Sequence, residues 1–333
     1  MTDYYCHTLQ HVPIPTRRLP DDVLVRVRSA GICGSDLHGY TGQSGRRVPP
    51  LIMGHEATGE VVELGSETPL QVGQRVALQP LIYRPDPATG IVRRRLIGMD
   101  LQGAYAEYIV MPAENLFPIP DTLSYAEGAL AEPLAVAVHA VSLSPIRPYD
   151  RVLVIGAGAI GLLTVQVLRL AGAGLIVVSD INEARLDVAK QIGAHEIIRA
   201  DQEDVTRKAL QLTDGRGFDR TYEAVGITQT VQQSVASVCQ GGTVVWIGNN
   251  QRTVEVDMQS VVTREITIRG TYGMTQQDFR RALAILADGA IQVTPLINRR
   301  ATLDECPTLF DELIADQTII KCIIEMDATH AQN

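Results

Sequence analysis

The sequence predicts an α/β protein in two parts, a β-rich unit and a doubly wound unit built on a parallel sheet. Three observations carry that expectation. At 333 residues the chain is about twice the ~150-residue prior for a single domain. Its first third holds short strand-like runs cut by glycine turns. After Pro120 short apolar strands alternate with helical stretches, the signature of right-handed crossovers over a parallel sheet.

Taken in order, residues 23–28 read Val-Leu-Val-Arg-Val-Arg, a strand, and 60–64 and Arg75–Leu78 read as two more. Residues 79–102 are rich in Pro, Arg and Gly without a period and read as a surface excursion. Regular structure is expected to resume at 104–110, and a helix runs through 134–141. Arg151–Ile155, 175–179, 220–225 and 243–247 are the strands of the second unit, several of them near-continuously apolar as a sheet buried on both faces requires. The tail offers helices at Gln276–Ala287 and 309–315 and a last strand at 318–325. Its membership in either unit is ambiguous from pattern alone.

Composition excludes several classes. Hydrophobic residues make up 45% and charged residues 20%, an ordinary globular balance, and no apolar run approaches the ~20 residues of a membrane span. A net charge of -9 argues against a nucleic-acid partner, because phosphate neutralisation needs clustered Lys and Arg. The run Arg93, Arg94, Arg95 reads as a solvated loop. The cysteines at 6, 33, 239, 306 and 322 lack framework spacing, which suits a reducing compartment. With no basic and apolar leader pattern at the start, the cytoplasm is the expected location.

The strand Arg151–Ile155 runs into Gly156-Ala157-Gly158-Ala159-Ile160-Gly161 and then an apolar helix at 162–170. This is the dinucleotide fingerprint in its proper context: Gly156 for the tight turn, Gly158 for backbone approach to the pyrophosphate, Gly161 for helix–strand packing, and a helix N-terminus facing the negative charge. Asp180 ends the next strand, about 20 residues after the fingerprint, where an acid accepts hydrogen bonds from the adenine-ribose diol and repels a 2'-phosphate. NAD is therefore expected over NADP. Arg185 is a further candidate at that ribose, the alternative being an ordinary exposed helical arginine, just as Asp180 has the alternative of a capping role. Val225 with Gly226, Ile247 with Gly248, and Thr271 lie where the nicotinamide half is expected, although either glycine also fits a plain turn.

The segment Gly31-Ile32-Cys33-Gly34-Ser35-Asp36-Leu37-His38 and the later Gly54-His55-Glu56 concentrate metal-ligand types in an otherwise apolar region. Thiolate and imidazole suit zinc. Alone, Cys33 and His55 would each read as buried structural residues. Together with Gly103-Ala104-Tyr105-Ala106-Glu107-Tyr108, Glu132-Pro133-Leu134 and the glycine fingerprint, in that order, they resemble the zinc-dependent medium-chain dehydrogenase/reductase superfamily, in particular its polyol (sorbitol-type) branch.

That resemblance spans nearly the whole chain. It implies a GroES-like catalytic domain over 1–132 and 273–333, with a Rossmann NAD-binding domain over 133–272 inserted, and a homodimer or homotetramer. It implies one catalytic zinc held by Cys33, His55 and a carboxylate from Glu56 or Glu132, the other glutamate hydrogen-bonding the metal-bound water. Asp36 matches the position that orients the zinc-bound histidine, with a helix cap as the alternative. Ser35 matches the acceptor of the alcohol proton, and His38 the next relay or else a surface histidine. Lys321 matches a basic position near the cofactor pyrophosphate. The implied activity is interconversion of a secondary alcohol (a polyol, sugar alcohol or aminocyclitol) and its ketone, with threonine- or butanediol-type activity as the alternative. A zinc-free relative would not need Cys33, His55 and Glu56 together.

Three departures stand out. Residues 77–102, where many members bind a structural zinc through four cysteines, contain none, so no structural zinc is expected. The opening apolar strand of the family is absent, which implies a trimmed first hairpin, and Arg299 near the late Leu303-Asp304 motif is either a substrate contact or a surface ion pair.

Overall fold

The computed structural model describes residues 1–85 and 89–326. Its contacts divide the chain into two compact units, one comprising Met1–Glu132, Ala282–Gly289 and the chain from Ile297, the other Pro133–Arg281 and Ala290–Leu296.

The first unit is built on a seven-stranded sheet in the order Ile297–Thr302, Lys321–Glu325, Asp22–Ile32, Glu56–Glu63, Arg75–Leu78, Leu116–Pro118, with Tyr108–Pro112 also pairing to Asp22–Ile32. The eleven-residue strand Asp22–Ile32 is central because it is apolar at Val23, Val25 and Val27, all at most 1% exposed. Each such side chain contributes roughly 1.5–3 kcal/mol on burial. They pack with Val61, Val76, Leu78 and Met111 into one core. The late strand Lys321–Glu325 lies antiparallel to Asp22–Ile32, with Cys322 opposite Ile32 and Glu325 opposite Ser29. The tail that pattern left ambiguous thus completes the first sheet.

Within the cysteine-free excursion, Leu81–Pro85 and Val92–Leu96 pair as a two-stranded hairpin. It is held by packing and charge: Leu81 and Ile82 are each 5% exposed. The Arg84 guanidinium pairs with Asp22 at 2.7 Å and with Asp21. The Asn115 amide donates to the carbonyls of Gln79 and Leu81, both at 2.9 Å.

The second unit carries a six-stranded sheet, all parallel, in the order Glu196–Arg199, Leu175–Asp180, Arg151–Ile155, Phe218–Glu223, Val238–Trp246, Thr267–Gly270. Strand order reverses at Arg151–Ile155, so the carboxyl end of that strand opens at a switch point where such folds bind ligands. The two edge strands, Glu196–Arg199 and Thr267–Gly270, are four residues each, and Thr267–Gly270 is mostly exposed. Lacking an apolar run, they carry little strand signal. Among the described residues no helix is long and apolar enough to cross a membrane.

Candidate metal centre and cofactor loop

Strand Asp22–Ile32 ends where Cys33 turns the chain into the short helix Gly34–Tyr40. Asp36, in that helix's first turn, accepts a hydrogen bond from the Cys33 backbone N–H at 3.1 Å and one from the Tyr105 hydroxyl at 2.7 Å. The Arg47 guanidinium lies 2.8 Å from the other Asp36 oxygen, and Nδ1 of His55 faces that oxygen at 3.4 Å. Asp36 therefore caps the helix and sets its carboxylate against the His55 ring. Burial works against its charge, but His55 and Arg47 hold its carboxyl well below the usual carboxylate range. In return, despite burial, Asp36 raises the pKa of His55 well above the ordinary imidazole value.

Glu56 follows His55 directly and opens the strand Glu56–Glu63 opposite Gly31. A Cβ at Gly31 would stand 2.2 Å from a Glu56 carboxylate oxygen, so the glycine is the space the carboxylate fills. Gly54 has φ +96°, and a side chain there would strike the Tyr105 ring. The ligand atoms of Cys33, His55 and Glu56 all lie within 4.8 Å of one another. Thiolate, imidazole and carboxylate at that spacing fit a zinc ion. Glu132, in the first turn of helix Ala131–Ser142, is 7% exposed and not in that set. Burial and, against the pull of His55, the nearby Glu56 push its carboxyl upward.

Lys321, expected near the cofactor pyrophosphate, is engaged at the metal-ligand set. Its buried ammonium donates to both Glu56 oxygens, at 2.9 and 2.8 Å, and to the Ile32 carbonyl at 2.9 Å. Its three N–H donors are matched by three acceptors. Arg299 likewise is an ion-paired residue, held by Glu305 and Glu312. Ser35 Oγ accepts from Arg47 at 3.2 Å, and the His38 ring pairs with Gln43 at 3.3 Å.

In the second unit the fingerprint glycines have separate geometric reasons. Gly156 turns at φ +100°, and its N–H reaches the Ser179 carbonyl at 2.8 Å. Gly158 is the N-cap of helix Ala159–Leu170 and has no atom within 4 Å of a would-be Cβ. At Gly161 a Cβ would sit 1.8 Å from the Gly156 carbonyl oxygen. Ile160 follows Ala159 in the helix's first turn. Asp180 accepts from the Ala157 N–H at 2.6 Å and the Asn182 N–H at 2.8 Å, which ties it to the loop. The Arg185 N–H donates to the Asn182 side chain, the cap of helix Glu183–Gln191.

Gly226 and Gly248 are more than turn glycines: each would drive a Cβ to 2.3 Å from backbone of the other's loop. Glu223, missed in the sequence, knots that corner. Its carboxylate accepts from the N–H groups of Val225 and Gly226, and its carbonyl from those of Ile247 and Gly248. An acid ending a buried strand just before a glycine was the available signal. The Thr271 N–H reaches the Trp246 carbonyl at 3.0 Å.

Comparison with known proteins agrees with this arrangement. The family described as alcohol dehydrogenase GroES-like domain matches residues 19–121, and that described as zinc-binding dehydrogenase matches 159–288. The chain is 33% identical to sorbitol dehydrogenase of Bacillus subtilis over 90% of its own length and 89% of the relative's. It is 32% identical to D-arabitol-phosphate dehydrogenase of Enterococcus avium, covering 92% and 90%. Among solved structures, a zinc-binding dehydrogenase of Sinorhizobium meliloti bound to NADP superposes with a TM-score of 0.87 at 34% identity over 97% of each chain. The 2R,3R-butanediol dehydrogenase of Bacillus subtilis gives 0.88 at 29% identity over 98% of each. Two units, one with a thiolate–imidazole–carboxylate set and one with a dinucleotide loop, define a metal-assisted, nicotinamide-linked oxidoreductase. The chain belongs to the zinc-dependent medium-chain dehydrogenase/reductase superfamily, in its polyol dehydrogenase branch.

Proposed function

We propose that this chain oxidises a secondary alcohol of a polyol or related polyhydroxy compound to its ketone, with NAD as the acceptor. The observation that carries the reading is the clustering of Cys33, His55 and Glu56 within 4.8 Å, with Ser35 two residues on from Cys33 in the first turn of helix Gly34–Tyr40. Cys33, His55 and Glu56 would hold one zinc, which when bound supplies a Lewis acid that makes an alcohol hydroxyl more acidic. Ser35 accepts the hydroxyl proton and passes a proton on to His38 or water. Asp36 faces the His55 ring, and Lys321 holds the Glu56 carboxylate in place. Glu132, outside the three-ligand set, is assigned to hydrogen-bond the substrate oxygen. With no cysteine in 77–102, a second zinc has no thiolate set there.

Metal analysis and turnover test this together. Wild type should carry one zinc per chain. Cys33→Ser and Glu56→Gln should lose it together with activity, whereas Glu132→Gln should keep it with lowered kcat. Zinc lost from Glu132→Gln and retained in Glu56→Gln would exchange the two roles. An active metal-free protein would sink the reading. A panel of polyols, polyol phosphates, aminocyclitols, threonine and butanediols, read as NADH formed, identifies the substrate. Asp180 supports NAD over NADP, and Asp180→Ala should narrow the preference between the two. A second copy is proposed to associate along the sheet edge Thr267–Gly270, where Met258 and Val262 are 74% and 63% exposed. Light scattering that returns a monomer would exclude it.

A further inference from the structure

Beside the metal-ligand set stands an arginine that belongs to none of the recognised motifs. Arg47, in the coil before Pro49, is only 2% exposed. Its stem occupies the space left by Gly39, where a Cβ would fall 2.3 Å from the arginine Cδ. All three of its nitrogens are engaged: Nε donates to the Gly98 carbonyl at 3.0 Å, Nη1 to the Ser35 carbonyl at 2.8 Å and Nη2 to Ser35 Oγ at 3.2 Å. Nη2 also pairs with Asp36 at 2.8 Å.

Packing alone does not account for this residue. A guanidinium stays charged in any protein environment, so burying it is unfavourable unless its fork is used. Here the fork grips Ser35 at both its carbonyl and its hydroxyl while Nε holds the Gly98 carbonyl, a planar spread of donors that neither an apolar residue nor a compact ammonium reproduces. Because Nη2 donates to Oγ, the hydroxyl's own proton cannot point at the guanidinium. One lone pair of Oγ is taken, one remains free, and the O–H is turned away.

We propose that Arg47 is a positioning residue for proton transfer, fixing the Ser35 hydroxyl so that its free lone pair meets the substrate hydroxyl while its own proton faces the exit. This rests on the reading of Ser35 as proton acceptor. In the step, the substrate O–H bond breaks as a new H–Oγ bond forms. The original Ser35 proton leaves to His38 or to water, so Ser35 ends neutral.

The test uses the zinc-loaded full chain with Arg47→Lys, Arg47→Ala, Ser35→Ala and the double variant Ser35→Ala/Arg47→Lys. Arg47→Lys should keep its zinc and its KM for NAD while kcat falls about tenfold to a hundredfold, as for a misaligned reacting group. Guanidinium ion added to Arg47→Ala should restore turnover. In the Ser35→Ala background Arg47→Lys should cost nothing further, because one relay has already been lost. Apart from activity, 15N spectra of the arginine side chains should show slowly exchanging Arg47 Nη protons, one of which shifts in Ser35→Ala. Full multiplication of the two effects in the double variant, or Arg47 signals unmoved by Ser35→Ala, overturns the role given to Arg47 and leaves Ser35 as acceptor. A Ser35→Ala variant with unchanged kcat overturns both. If the Arg47 variants fail to fold, the spectra of Ser35→Ala, with Arg47 intact, still decide.

Discussion

Gly31 and Gly34 lie three residues apart and make opposite predictions. A methyl on Gly31 meets Glu56, which cannot swing aside without leaving Lys321, whereas nothing lies within 4 Å of a Cβ at Gly34. Gly31→Ala should therefore weaken zinc binding at least tenfold, the scale of disturbing a group that orients a ligand, and Gly34→Ala should leave it near wild type, both read by competition with a chromophoric chelator. His7 gives a pH prediction of its own. Burial against Tyr40 and Phe310, with the nearby N-terminal charge, lowers its pKa to about 4. In the unfolded chain it titrates near ~6.5. As pH falls from about 6.5 to about 4, the unfolded state binds a proton that the folded state refuses, so stability declines across that window and levels off below it. Denaturant melts at several pH values should show the decline, and His7→Phe should flatten it.

At the scale of elements, the glycine loop separates folding from binding. Gly161→Ala places a methyl 1.8 Å from a backbone oxygen, so it should lower the melting temperature as well as weaken NADH binding. Gly158→Ala meets no protein atom and should leave melting unchanged while weakening NADH binding more than tenfold, because its hydrogens face the pyrophosphate in the fingerprint's reading. Calorimetry and fluorescence titration distinguish the two. This loop was legible because its demands are local: tight turn, close approach and helix start all fall within six residues. Arg151–Ile155, Arg75–Leu78 and Gln276–Ala287 were legible in full for the same reason. Where expectation and structure part, a long-range or side-chain bond has intervened. Regular pairing expected from residue 104 begins only at Tyr108, because the N–H groups of Ala104 and Tyr105 go to Gly54 and Met53. The last strand starts at Lys321 rather than 318, because the Ile320 N–H goes to the Asn298 side chain and that of Thr318 to Asp316. In the candidate centre the motif residues were readable, but Arg47 sits in a coil without period and the partner of Lys321 lies 265 positions away.

For the molecule as a whole, the two units should respond to different ligands. Anything that binds only the folded state stabilises the part that binds it. Hydrogen exchange should show zinc protecting Gly34–Tyr40 and the residues around His55, and NADH protecting Ala159–Leu170 and the corner knotted by Glu223. No protection of Ala159–Leu170 by NADH would mean that the cofactor binds elsewhere than at the glycine loop.

The position of Lys321–Glu325 beside Asp22–Ile32 also governs how the molecule is made. Translation at about 5–20 residues per second separates Glu56 from Lys321 by roughly a quarter of a minute to nearly a minute. For that interval a nascent chain carries its metal-binding carboxylate without its ammonium partner and the central strand without a neighbour at Ile32. The polypeptide of the second unit emerges complete from the ribosome first. A chaperone that shields exposed strand edges should therefore be found on stalled chains ending before residue 321, and released from those that continue past it.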